Sequence, residues 1–444
     1  MKNHRKRSAG LLWQRGAILL AGFWLAGCQN QPEGAAGPTE ITVWHPWGQD
    51  QAKGLQRAAA RYNKAQNKVR VRLVFTPTDL NSNQKFFTAI AADKPPDVTF
   101  VDGTQVAQWA QWGAVEPLDK FMARDGVREA DFFPPCWKQA QYGGKTWALT
   151  FCADPNFAFF WNKAEFRKAG LDPEKAPRTI ADIDRMSKAL TKSRGAQLQS
   201  IGIIPWQQYG SANSVFTWGW AFGGKFYDEK TQTVTANDPK VVKAVEWMVS
   251  YAKAMGITRI NSTTSGWGAG ASDPFYNGKL AMRAAHVSML DDLKRYAPKL
   301  EYGVAPMPGM ANGEIGSSWV GGWLMALPRG SRHPEAGWDF MRWLCATPEG
   351  TQASVSEMGL LPGYRRSPAL LEAEKDPKRT MFVRILRETK HQRPVMPAQA
   401  FFMGALDRAV DRALYGKQTP QEAMDQATQE TQRELNLVLG KKVS

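Results

Sequence analysis

Four cysteines in 444 residues are too few for a disulfide scaffold, and none has the spacing of a zinc site. The chain has no His-Glu-x-x-His, no Gly-x-Ser-x-Gly and no Gly-x-x-x-x-Gly-Lys-Ser/Thr segment. The readable signatures of zinc peptidases, serine hydrolases and P-loop nucleotidases are therefore missing. Histidine is scarce, at five, and Asp291-Asp292 is the only adjacent pair of aspartates. No apolar run reaches the ~20 residues a spanning helix needs. Although the formal net charge is +16, no dense Lys/Arg tract accompanies it. Basic residues are scattered, as in Lys68-Val-Arg70-Val-Arg72, where they alternate with apolar ones on a strand-like segment. That pattern describes a solvated face and not a nucleic-acid surface.

What is present begins at the N-terminus. Lys2, Arg5, Lys6, Arg7 and Arg15 precede an uncharged, mainly apolar stretch from Gly16 to Gly27, which ends in Leu25-Ala26-Gly27-Cys28. A basic start, a short apolar segment and small residues before a cut describe an export signal. The Cys after them resembles the bacterial lipoprotein lipobox, which implies cleavage before Cys28 and lipid attached to it; an ordinary signal peptide is the alternative. Removing residues 1–27 leaves 417 residues and a formal charge of +11, too long a chain for one ordinary core, so two domains are expected. Residues 28–39, rich in Gly, Pro, Ala and Gln, read as a flexible tether. An oxidising compartment lets Cys136 and Cys152, which flank the hairpin-like Gln141-Tyr-Gly-Gly-Lys145, form a disulfide worth about 3 kcal/mol. Cys345 reads as a buried thiol in an apolar helix.

Periodicity organises the rest. Ile41-Thr-Val43, Val69 to Phe75 and Asp97 to Val101 read as strands separated by helices at Gln51–Asn67 and Asn83–Ala92. Strand, helix, strand, helix, strand predicts a parallel sheet with crossover helices. The pattern recurs from Phe157 onward. Thr179 with Asp182, and Thr419-Pro420 with Glu422, predict capped helix starts.

Five segments in order resemble the extracellular solute-binding proteins of ABC importers, in the large sugar-binding family. They are Asp154-Pro-Asn-Phe-Ala-Phe-Phe-Trp-Asn162 running into Phe166-Arg-Lys-Ala-Gly-Leu-Asp172; Phe275-Tyr-Asn-Gly-Lys-Leu-Ala-Met282; Gly321-Gly-Trp-Leu-Met-Ala-Leu-Pro328; Pro334-Glu-Ala-Gly-Trp-Asp-Phe340; and Gly416-Lys-Gln-Thr-Pro-Gln-Glu-Ala423. The chain departs from the family's Pro-x-Thr-Trp at Pro177-Arg-Thr-Ile180. The resemblance implies an α/β, two-lobed periplasmic-binding-protein fold (type II-like), each lobe a mixed sheet flanked by helices, with a hinge between them. Crossings are expected near Leu149–Pro155, Gly266–Pro274 and Pro328. That grouping puts 40–150 plus 275–328 in an N-terminal lobe and 151–274 plus 329–444 in a C-terminal lobe.

It further implies an exported, membrane-anchored monomer that captures a carbohydrate, an oligosaccharide, and hands it to ABC permease subunits, with no cofactor, metal or nucleic acid. The alternatives are a glycerol-phosphate or polyol receptor, for which Arg365, Arg366 and Arg393 are the available cations, and an exported glycoside hydrolase. Eighteen tryptophans favour the sugar reading, because an aromatic ring covers a sugar's C–H face while polar groups serve its hydroxyls. In open α/β sheets ligands sit beyond the carboxyl ends of strands. The expected ligand-binding residues are therefore Trp44, His45, Trp47, Asp102, Thr104, Trp206, Tyr209, Trp267, Gly322 and Trp323. Trp109, Trp112, Trp247, Trp338 and Trp343 read as packing residues.

Overall fold

Alternation builds the first sheet. In β1 (Thr39–His45) Ile41, Val43 and His45 are buried while Glu40 and Thr42 face outward, and β2 (Val69–Phe75) buries Val69 and Val71 between exposed Arg70 and Arg72. β3 (Val98–Asp102) is buried at four consecutive positions, as a central strand covered on both faces must be. Then follow β4 (Leu149–Asn156), β5 (Ala158–Asn162), β6 (Met282–Ala285), β7 (Tyr302–Pro306), β8 (Trp319–Ala326) and β9 (Leu361–Pro362). The computed structural model describes residues 37–77, 80–195, 197–207, 209–268, 270–310 and 317–441. The export signal and Cys28 lie outside the described residues.

The first sheet has the order β9-β4-β8-β3-β1-β2. β1 pairs in parallel with β2 and β3, as the strand–helix alternation predicts, whereas β8 runs antiparallel to both β3 and β4. β5 is flanked antiparallel by β6 and β7 in a second sheet, to which Ile201 adds a parallel bridge at Leu280. The chain thus passes from one sheet to the other between Asn156 and Phe157, and returns between Pro306 and Trp319.

Helices enclose both sheets: α1 (Gln49–Ala65), α2 (Pro134–Gln139), α3 (Ile180–Leu190), α4 (Ser211–Ala221), α5 (Pro239–Met255), α6 (Met289–Tyr296), α7 (Pro334–Ala346), α8 (Pro348–Met358), α9 (Pro377–Glu388), α10 (Gln399–Leu414) and α11 (Pro420–Val438). Both expected capping boxes form: Thr179 with Asp182 opens α3 and Thr419 with Glu422 opens α11. One core joins Ile41, Val43 and Leu55 to Trp338, Phe340 and Leu344 of α7. The other joins Ile183, Phe216, Trp218, Val241 and Val245 to Phe402, Leu406 and Met424. No helix among the described residues is long and apolar enough to cross a membrane.

Two expectations fail here. β6 and β7 flank β5, so 275–310 does not group with 40–150, and α7 and α8 sit on the first sheet, where Glu357 pairs with Arg57 and Arg61 of α1. Strand patterns show which residues are buried but not which distant strand they pair with. The expected disulfide is also absent: Cys136 and Cys152 are both free and buried. Cys136 packs with Phe133, Phe160 and Phe382, whereas Cys152 packs with Phe151, Met325 and Cys345. Thr150 is the β4 residue that bonds α2, donating to the Cys136 carbonyl at 3.0 Å. Burial pushes both thiols well above the ordinary cysteine range, so neither is a ready thiolate.

Candidate functional site

Where β1, β3 and β4 end and β8 begins, the strand termini open into a cleft of about 430 Å³, the position that open α/β sheets favour for ligands. Its wall draws on many segments. Pro46 and Trp47 follow β1, Gln51 opens α1, and Asp102 ends β3. Asp154 and Asn156 close β4, while Trp319, Gly321 and Trp323 start β8. Tyr209 and Asn213 face them, with His286 and Ser288 after β6 and Arg393 after α9.

Register sets the polar floor. Gly321 stands opposite Asp154, Trp319 opposite Asn156, and Trp323 opposite both Cys152 and Asp102. Asp102 is held in place: Thr104 donates to its Oδ1 from the backbone amide (2.9 Å) and the hydroxyl (2.6 Å), and Arg393 Nη2 donates at 3.2 Å. The Arg393 guanidinium also lies 5.0 Å over the ring of buried Trp319, whose indole N–H donates to Thr217 at 3.0 Å. Asp154 contrasts with Asp102. Among the described residues it takes no hydrogen bond, and burial, reinforced by the negative charge of Asp102, raises its pKa from 3.8 to about 7 against the opposing pull of Arg393. Its carboxyl is therefore left to accept hydrogen bonds from a ligand.

The aromatic wall is graded. Trp47 is only 7% exposed and meets Trp323 edge-on at 5.8 Å. Trp323 is half-buried. Tyr209, at 62%, is fully presented, with φ of +60°. Its hydroxyl lies 2.5 Å from His286 Nε2, and His286 Nδ1 lies 2.6 Å from the Ser288 hydroxyl. Burial, aided by Arg283, lowers the His286 pKa to about 4, so His286 stays neutral at physiological pH.

Of the ten residues expected from sequence, the structure brings four to the cleft: Trp47, Asp102, Tyr209 and Trp323. Thr104 stands behind, holding Asp102. Trp44 points to the other face of β1, into the cluster of Phe87 and Trp109, with the Lys85 ammonium 4.8 Å over its ring. His45 is buried beside Trp47, and burial lowers its pKa. Trp206 is 5% exposed and belongs to the second core, and Trp267 packs against the same core. Gly322 serves the backbone: at φ +154° a Cβ would stand 2.2 Å from the Cys152 carbonyl oxygen, so only glycine fits. Arg365 and Arg366 are engaged elsewhere, over the ring of Phe133 and with Asp131 at 2.6 Å.

Asp154, Asn156, Trp319 and His286 escaped the sequence reading as site residues. For Asp154 a signal existed, since it is the one charged residue in the mainly apolar run from Leu149 to Trp161. His286 and Arg393 approach through tertiary folding alone. Among the described residues no group of three or more His, Cys, Asp or Glu is placed to hold a metal ion.

The profile of the bacterial extracellular solute-binding proteins matches residues 46–350. The sn-glycerol-3-phosphate-binding periplasmic protein of Pectobacterium atrosepticum is 24% identical over 417 residues, 89% of this chain and 91% of that protein. The maltotriose-binding protein of Pyrococcus abyssi is 22% identical over 86% of this chain and 79% of its own. The solved structure of CpMnBP1 with mannobiose bound superposes with a TM-score of 0.77 at 26% identity, covering 88% of this chain and 99% of that one. These relatives are described as binding proteins.

Proposed function

The chain belongs to the bacterial extracellular solute-binding proteins, and we propose that it captures an uncharged oligosaccharide in the cleft and delivers it to the permease of an ABC importer. The observation that carries this is the composition of the cleft. Trp323 and Tyr209 offer ring faces, Asp154 offers an unengaged carboxyl, and Asn156, Asn213 and Ser288 offer hydrogen-bonding rims. This is the mixture of apolar faces and directed polar groups that a sugar requires. The resemblance to a mannobiose-bound structure supports it.

Glycerol phosphate is the second reading, prompted by the relatives named for it. A phosphate in this cleft meets the Asp102 carboxylate, an Asp154 carboxyl that is about half ionised near pH 7, a neutral His286, and one guanidinium already committed to Asp102. The charge balance favours the sugar. Hydrolysis of the sugar is not favoured either, since Asp102, one of the two carboxyls a glycosidase pairs, is tied to Arg393 and Thr104.

The sheet pairings support lobes of about 38–156 with 317–388 and about 157–310 with 394–441, hinged where the chain crosses. The protein is taken to act as a monomer, exported and anchored through lipid on Cys28, with the residues between Cys28 and β1 as tether. Calorimetric titration of the mature chain with mannobiose, maltotriose and sn-glycerol 3-phosphate tests the assignment: saturable binding of a sugar supports it, and binding of glycerol phosphate alone refutes it.

A further inference from the structure

We propose that Asp102 and Asp154 together form a charge filter that restricts the cleft to uncharged ligands, and that Arg393 is a latent anion site masked by them. This deepens the carbohydrate reading and rests on it. Among the described residues, Asp102, Asp154 and Arg393 are the charged side chains lining the cleft. The remaining titratable groups facing Asp154 are Tyr209, neutral His286 and the buried thiols of Cys136 and Cys152. Arg283, the cation that acts on His286 and Tyr209, is neutralised by Asp273 at 2.9 Å.

The geometry around Arg393 is that of a prepared but occupied receptor. Its guanidinium is fixed over Trp319, it is only 11% exposed, and Nη2 is held by Asp102. Nη1 contacts the Met403 sulfur at 3.7 Å. Nε is buried without a partner among the described residues, although a buried N–H is normally satisfied. Gly321 keeps the approach open, since a Cβ there would stand 3.4 Å from Nη2 and 3.2 Å from Asn156 Nδ2.

A hydroxyl can bind here without displacing anything, donating to Asp154 and accepting from Asn156. A phosphate must compete with Asp102 for the guanidinium and lie beside Asp154. Where Asp154 is ionised, as about half of it is near pH 7, like charges side by side in a half-buried site are costly. Selectivity of this kind works by penalising the wrong ligand.

The test is calorimetric titration of the mature chain, the D154N and D102N/D154N variants, and D102N/D154N/R393Q, each with sn-glycerol 3-phosphate and separately with mannobiose. Thermal melts establish that each variant is folded. We expect D102N/D154N to bind glycerol phosphate at least about tenfold more tightly than the parent chain, D154N to show part of that gain, and R393Q to abolish it. Should D102N/D154N fail to fold, D154N carries the test, because its carboxyl takes no hydrogen bond from described residues that Asn would lose. No gain in a folded variant, a gain that survives R393Q, or a parent chain that binds glycerol phosphate as tightly as the variant overturns the filter. If the parent chain ignores mannobiose and other sugars, the carbohydrate reading falls, while the comparison among variants still judges the filter by itself.

Discussion

Replacing Asp154 with Asn is expected to stabilise the protein while weakening capture of its ligand. The buried carboxyl has its pKa raised from 3.8 to about 7, so the folded state holds the proton more tightly than the unfolded chain does. Well below pH ~4 both states are protonated and the group costs nothing. As pH rises toward 7 the unfolded chain ionises first, and the folded state pays an increasing penalty that levels off above 7. At about 1.4 kcal/mol per tenfold in proton affinity the full penalty is roughly 4 kcal/mol. Because the group lines a solvent-filled cleft, screening reduces this to about 1–2 kcal/mol. Urea denaturation of D154N and the parent chain at pH 4 and pH 8 measures it. The variant should be more stable by about 1–2 kcal/mol at pH 8 and indistinguishable at pH 4. A gain equal at both values, or a loss at pH 8, would show that Asp154 is satisfied in the folded state and would remove the argument that its carboxyl awaits a ligand.

Other perturbations separate the cleft from its supports. Trp323→Ala should weaken sugar binding by about 1–3 kcal/mol, from lost apolar burial against the ligand, with little change in melting temperature, as calorimetry and thermal melts on one preparation would show. Trp206→Ala should do the reverse, costing about 3–5 kcal/mol of stability for a buried aromatic while a folded fraction still binds; normal stability with lost binding would return Trp206 to the site. Gly322→Ala should lower stability by more than 1 kcal/mol, or about 1–3 kcal/mol as overpacking usually costs, because its Cβ would meet the Cys152 carbonyl. Reducing agent should leave the melting temperature unchanged, and Cys136 and Cys152 should alkylate only on unfolding; a fall of several degrees would restore the disulfide.

The first βαβαβ unit was legible because each strand alternates or is mainly apolar and the helix between the first two keeps one buried face, so Ile41, Val43, Val69 and Val71 announce themselves. The two capping boxes were legible because their signal is four residues long. Partnership was not. Nothing local in Met282–Ala285 or Trp319–Ala326 says that one flanks β5 and the other inserts between β3 and β4. The site divided along the same line. Trp47, Asp102 and Trp323 sit at strand ends and could be inferred, whereas Trp44 differs from Trp47 only by which side of a terminating strand it leaves. His286 and Arg393 reach the cleft through contacts that exist only after folding.

The insertion of β8 also orders events in time. β3 and β4 are in place early along the chain, yet the strand that joins them ends at residue 326. A polypeptide threaded through a membrane from its N-terminus therefore exposes two unzipped edges until most of its length has crossed. Contacts separated this widely form slowly, and bare edges invite pairing with other chains. During export the nascent chain should depend on holding factors until Trp319–Ala326 emerges. A truncation ending before β8 should aggregate, where one ending after it closes the gap between β3 and β4.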